Sequence, residues 1–329
     1  MSPASTSPVV RSSSGSRKPG SHGLSASRPR YGERVVLGLL WLCAAISVVT
    51  TIGIIAVLFT EAVSLFGIPG VSVVEFLTGS VWRPFTDPSS DQFKIGVLPL
   101  LNSTLLITAI ALVIAVPLGL ATAIYLSEYA RPRVRRIVKP FLELLAGVPT
   151  VVLGYFALTF VTPVLRAVFG VDVVPIFNAA SAGIVVGILV VPTIASISED
   201  SMSAVPRALR EGAYGLGSAR RDVALRVVFP AALSGIVASI ILAFGRAVGE
   251  TLIVSLAAGN QPPADLPAVN PFQQVQTMTA YITQAVGGES SRGSVTFQSI
   301  FAVGALLFVL TFLVNMIALR VVRRFREEY

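Results

Sequence analysis

Apolar residues run through this chain in long blocks rather than at the spacing of a surface helix or a half-buried strand. Positions 35–60, 95–127, 173–198 and 293–319 hold no charged residue. About 20 apolar residues at ~1.5 Å each cover a bilayer core of ~30 Å, so each block predicts a membrane-spanning helix. A fifth span begins after Lys139 and runs toward Arg166, with one acid, Glu143, near its start. A sixth, over 227–260, carries an arginine and a glutamate in its middle, in the stretch GRAVGE at 245–250. The pattern therefore predicts an all-α membrane domain of six transmembrane helices over 34–329.

Composition agrees: the 329 residues are 53% hydrophobic and 13% charged, with a mean hydropathy of +0.78, too apolar for a surface that faces only water. Residues 1–33 differ, being rich in Ser, Pro, Gly and Arg, and are expected to form a disordered tail. The basic residues set the orientation, because Lys and Arg in short loops stay on the cytoplasmic side. They gather before the first span, between the second and third (Arg131, Arg133, Arg135, Arg136, Lys139), between the fourth and fifth (Arg207, Arg210, Arg220, Arg221, Arg226) and after the sixth. The opposite loops hold only Arg83, Lys94, Arg166 and Arg292. Both termini are thus expected in the cytoplasm. The net charge of +8 reads as a topology signal toward the membrane rather than as a footprint for nucleic acid.

One cysteine (Cys43) and one histidine (His22) leave no internal disulfide, His-based catalytic centre or metal site to assemble, and a phosphate-binding GxxxxGK[ST] loop is absent. No cofactor is expected. The loops at 61–94 and 260–296, with their Pro, Gly, Ser and aromatic residues, are expected to be irregular chain on the outer membrane surface.

The loop at about 199–230 is more informative. Pro206 suits a first helical turn, and Ala208, Leu209, Ala213 and Leu216 share a face. Gly217 ends that helix, Ser218 can cap a second with a face of Ala219, Val223 and Val227, and Pro230 closes it. From the residues alone, an amphipathic hairpin resting on lipid and a docking site are equally open.

The stretch EGAYGLG, followed by nine residues and VVFP, resembles the EAA motif, E-A-A-x3-G-x9-I-x-L-P, of permease subunits of ATP-binding-cassette importers. Glu211, Ala213, Gly217 and Pro230 match; Gly212, Val227 and Phe229 depart from it while keeping small or apolar character. In that family the loop couples to an ATPase subunit. VPLGLATAIYLSEYA, ELLAGVPTVVLGY and GRAVGETLIVSLAAGN extend the resemblance over roughly 96–329, to the PstC family of phosphate permeases. The resemblance implies a type I importer (MetI-like) permease fold and no enzymatic chemistry in this chain. It also implies partners: a homologous permease subunit, PstA, in a heterodimer; two copies of the ATPase subunit PstB; and an extracytoplasmic phosphate-binding protein, PstS.

An arginine in mid-membrane is costly, so Arg246 is expected to face a bundle interior or a wet cavity. Four residues separate it from Glu250, which on a continuous helix places both on one face and within reach. A helix-pinning salt bridge is one reading. The other is an anion contact, since a guanidinium fork donates paired hydrogen bonds to phosphate oxygens while Glu250 holds and partly neutralises it. The resemblance implies the same two positions. Gly147 and Pro149 interrupt the third span, as a kink or as a break lining a cavity, and in the second case Thr150 is a pathway hydroxyl. A permease for sulfate or molybdate and an autonomous ion-coupled transporter are the competing functions.

Overall fold

The computed structural model describes residues 31–86, 90–288, 291 and 293–324. The expected tail lies outside them except for 31–33, which open helix α1 (Tyr31–Leu65). Two compact units divide α1: Met1–Gly53 and Ile54–Tyr329. In the first, α1 exposes Leu37, Leu40 and Trp41, the all-round apolar surface of a helix solvated by lipid.

In the second unit, α2 (Val73–Thr78) and a two-stranded antiparallel hairpin, β1 (Trp82–Arg83) with β2 (Lys94–Ile95), precede α3 (Leu98–Ile124). A π-helical turn, Tyr125–Tyr129, prolongs α3. Amphipathic α4 (Pro132–Ala146) follows, then α5 (Thr150–Phe156), a π-helical turn at Ala157–Val161, and α6 (Thr162–Phe169). Next come α7 (Ala179–Ser203) and the short α8 (Arg207–Gly215). Beyond α8, α9 (Arg220–Asp222), a π-helical turn at Val223–Val228 and α10 (Phe229–Ala231) lead into α11 (Leu233–Val248). The chain ends with α12 (Leu252–Val254), a π-helical turn at Ser255–Gly259, α13 (Met278–Gly287) and α14 (Val295–Arg324).

Among the described residues, five helical stretches are long and apolar enough to cross a membrane. A sixth arises if Arg220–Ala231 and Leu233–Val248, bent by 71° at their junction, make one span. The boundaries of two expected spans need correction. The third span is Thr150–Phe169; the segment after Lys139 belongs to α4, because the Arg cluster and Glu143 make that helix two-faced and Gly147–Pro149 separates it from α5. The helix expected over 227–260 is not continuous: it stops at Val248 and resumes at Leu252.

Helix α7 is buried along most of its length and forms the centre of the second unit. It lies on α3 through glycines: a Cβ on Gly119 would stand 2.7 Å from the Ile194 side chain, on Gly183 2.6 Å from Ile110, and on Gly187 2.9 Å from the Ala111 carbonyl. Small residues allow this approach, which is how membrane helices gain packing where lipid is as apolar as leucine.

The 61–94 and 260–296 segments are not wholly irregular. Phe76, Trp82, Ile95, Met278 and Tyr281 are buried together, with the Trp82 and Tyr281 rings edge to face at 4.8 Å. Tyr281 shares a hydrogen bond with Ser299, and burial holds its phenol well above the ordinary range. The aromatic residues that suggested a surface lying on the membrane instead supply a core of their own, against which α2, the hairpin and α13 order.

Gly187→Ala pushes a methyl against backbone that cannot rotate away. A loss of about 1–3 kcal/mol is expected, seen as a lower unfolding temperature in detergent, whereas Gly38→Ala, where a Cβ meets nothing within 4 Å, should not destabilise.

Candidate functional site

Arg246 lies in the last turn of α11 and is half-buried. Its Nη1 donates to Thr193 Oγ1 on α7 (3.2 Å) and its Nη2 to the carbonyl of Ala146 (3.3 Å), the last residue of α4. The terminal carbonyls of a helix lack partners and carry partial negative charge, so a guanidinium suits them. Two of its five N–H donors are thus used, and the others have no partner among the described residues.

Glu250 does not meet Arg246. Among the described residues no ion pair joins them, because Gly249 ends α11 and carries Glu250 off the helix face. Glu250 is 9% exposed. Its Oε1 accepts from the backbone N–H of Leu252 (3.2 Å) and Ile253 (3.3 Å), closing the open start of α12, and its carbonyl accepts from Thr279 Oγ1 (2.8 Å). The helical spacing used to pair the two residues assumes a helix that stops between them. Thr150 is half-buried at the first position of α5, and its hydroxyl has no partner among the described residues. It sits just past the α4–α5 corner whose Ala146 carbonyl Arg246 holds. Arg246 thus holds the end of α4, Thr150 opens α5 beyond it, and Glu250 belongs to the helix break.

The elbow of the 199–230 loop forms as its residues dictate. Gly217 has φ +83°, Gly217 N–H donates to Tyr214 O (2.9 Å) and Ser218 N–H to Ala213 O (3.1 Å), the paired bonds that close a helix through a left-handed glycine. Ser218 does not cap the next helix; Ala219 takes that place without a side-chain bond. The expected faces also shift. Leu209 and Ala213 turn inward, whereas Ala208 is exposed and Leu216 is 90% exposed. On the second limb the π-helical turn changes the phase, so Val223, Ala224 and Val228 are buried instead of Ala219 and Val227. Glu211 and Pro230 are exposed.

Two polar latches escaped the sequence reading. Arg210 donates to the carbonyls of Val205 (2.6 Å) and Met202 (2.7 Å) and to Glu128 Oε1 (3.2 Å), tying α8 to the ends of α7 and α3. Glu199, fully buried on α7, accepts from Lys139 (2.9 Å) and Ser203 (3.0 Å) and pairs with Arg135, while Lys139 also reaches Asp200 (2.5 Å). Burial alone would lower the pKa of Lys139, but hydrogen bonds to Asp200 and Glu199 and their charges outweigh it and raise the pKa above 10.5. The clustering of basic residues and Glu199–Asp200 at one side of the predicted membrane was the available signal; it gave the side but not the partners.

An integral membrane protein is the class that these spans define. The family described as "Binding-protein-dependent transport system inner membrane component" matches residues 115–327, and the chain belongs to it. It is a multi-pass inner-membrane permease and not an enzyme. It is 35% identical over 278 residues to the probable ABC transporter permease protein YqgH of Bacillus subtilis, covering 82% of this chain and 84% of that one. It is 34% identical over 300 residues to the phosphate transport system permease protein PstC of Mesorhizobium japonicum, covering 84% and 85%. Its fold matches a chain of a bacterial ABC transporter involved in the import of the acidic polysaccharide alginate (TM-score 0.57, 17% identity, 87% of this chain and 96% of that one). The methionine transporter MetNI has a similar chain (TM-score 0.51, 19% identity, 70% and 95%). The fold is thus that of MetI-like importer permeases.

The Glu199 latch has a measurable signature. Glu199→Gln should cost about 1–3 kcal/mol, the loss being screened because Arg135 and Lys139 are partly exposed. Adding Lys139→Met to it should cost little more, a non-additivity read from thermal unfolding of the single and double variants. Because the folded Lys139 pKa is raised, its contribution is fully present at and below the ordinary lysine value and is lost only as pH climbs through the raised one. Stability from this pair should therefore be flat through neutral pH and fall only above 10.5.

Proposed function

We propose that this chain is one half of the membrane pathway of an ATP-driven phosphate importer, with both termini and the 199–230 loop in the cytoplasm. The observation that carries the reading is Arg246: a half-buried guanidinium in the last turn of α11, held by one bond to α7 and one to α4, with donors to spare. A fixed, partly unsatisfied fork is what a passing oxyanion needs, since it offers charge and paired donors without a carboxylate already occupying them. Thr150 at the adjoining corner offers a hydroxyl to the same path. Glu250 contributes indirectly by holding the break that places Arg246 at the end of α11.

The likeness to phosphate permeases supports phosphate as the solute. The partners follow from it: a PstA-type permease completes the heterodimer, two PstB-type ATPases bind below, and a PstS-type binding protein delivers the anion from outside. The exposed Glu211 on α8 and Leu216 just past its end form the ATPase contact, with Ala213 anchoring the helix, Gly217 setting its angle and Pro230 ending the loop. Basic residues concentrated in the first half of α4 and from α8 to the turn before α10 support this orientation.

Labelled phosphate uptake by the reconstituted complex tests the reading. Arg246→Gln should lower uptake at least about tenfold, and Arg246→Lys should also be impaired because an ammonium lacks the fork. Uptake of sulfate or molybdate in place of phosphate would reject the solute, and import by vesicles without the ATPase would reject the coupling. At the elbow, Gly217→Val strains a left-handed turn at φ +83° and should weaken ATPase co-purification while leaving membrane insertion intact.

A further inference from the structure

Beyond the break at 249–251, the same span reaches a second feature at its other end. The π-helical turn Ser255–Gly259 packs against the one at Ala157–Val161. A cavity of about 590 Å³ opens beside them, lined by Leu158 from one turn and Ser255, Leu256 and Gly259 from the other. The polar groups that complete its wall, from Ser255, Asn260, Gln261, Gln274 and Gln284, are all uncharged.

Three observations mark this cavity as built to receive something. Ser255 Oγ and Asn260 Oδ1 are buried there without a hydrogen-bond partner, a condition proteins seldom leave unexplained. π-Helical turns are rare and concentrate at functional sites, and two meet here. The walls are also fixed. Asn178 N–H donates to Ala257 O (3.0 Å) and Val275 N–H to Ala258 O (3.0 Å), while Gly259, at φ +91°, lets Phe177 and Gln274 close in where a Cβ would stand 2.7 and 3.3 Å from them.

We infer that this cavity receives inorganic phosphate, as a protonated oxyanion, at the outer mouth of the pathway before it reaches Arg246. The inference rests on the phosphate-importer reading above. Hydroxyl and amide N–H groups donate to phosphate oxygens, and the unpartnered Asn260 Oδ1 accepts the proton that phosphate keeps at neutral pH. Sulfate and the phosphodiester of a lipid head group carry no such proton. A neutral lining holds the anion by hydrogen bonds alone, so it enters and leaves readily instead of being trapped.

Two isosteric acids test this in the complete complex, reconstituted with its ATPase and binding protein. Asn260→Asp and Gln274→Glu each place a negative charge in the wall, and phosphate uptake should fall at least about tenfold in both. Asn260→Gln, which keeps the amide, should stay within about threefold of wild type. Wild-type uptake by either acidic variant in an assembled complex would overturn the inference. So would an equal loss in Asn260→Gln, which would assign Asn260 to shape rather than to anion contact. If Asn260→Asp does not assemble, Gln274→Glu decides alone. A wild-type complex that imports no phosphate would instead reject the solute reading, whatever the variants do.

Discussion

Backbone that leaves a helix inside hydrocarbon must find partners at once, since each unsatisfied N–H or C=O there costs several kcal/mol. The span from Leu233 onward meets that constraint at 249–251, and much of the second unit is arranged around the way it does so. The Glu250 carboxylate takes the N–H groups of Leu252 and Ile253, and Thr279 from α13 takes the Glu250 carbonyl. A chain that kept a continuous helix here would save these partners, but it would turn Glu250 back toward Arg246 and neutralise the guanidinium. The break keeps the two charges in separate employment, Glu250 on backbone N–H groups and Arg246 on Thr193 and the Ala146 carbonyl.

Helix α7 carries the rest of the arrangement. At its start, Asn178, Ala179 and Ala180 donate to carbonyls of Ala257, Gln273 and Pro271. At its middle Thr193 accepts from Arg246, and Ser198 shares a hydrogen bond with Ser239 on α11. At its end Glu199 holds α4 and the Met202 carbonyl holds Arg210 of α8. Displacement of α8 therefore acts on the same rigid element that touches the arginine. Helix α4 offers a parallel route, fixed to Glu199 by Lys139 and to Arg246 by the Ala146 carbonyl.

The spans were legible because hydrocarbon imposes a long, charge-free run that few other structures require, and the elbow was legible because Gly217 alone suits its turn. The reading of 227–260 failed for an identifiable reason. Periodicity assumes an unbroken helix, and Gly249 directly before Glu250, with Leu252 and Ile253 next, is a stop followed by a capping acid; an apolar context hid a signal that would be plain in a soluble chain. The start of the third span was misplaced in the same way, since hydropathy does not distinguish an amphipathic helix lying beside a span from the span's own first turns. The latches at Glu199 and Arg210 depend on tertiary neighbours 60 to 82 positions distant, which spacing along the chain does not encode.

The four π-helical turns carry a consequence for how this chain varies in length. Each spends one more residue per hydrogen-bonded loop than an α-helix, so reverting a turn to ordinary helix without losing a residue rotates everything beyond it by about 100°, whereas deleting the extra residue restores the α-helix and keeps the phase. At Val223–Val228 reversion at constant length would turn Val227 to the buried side and expel Val228, swinging the whole limb that joins α8 to α11. Deleting one residue there would keep Val223 and Val228 on one face, now four apart. Descendants of this chain should therefore accept the loss of one residue from these turns more readily than from the α-helices on either side.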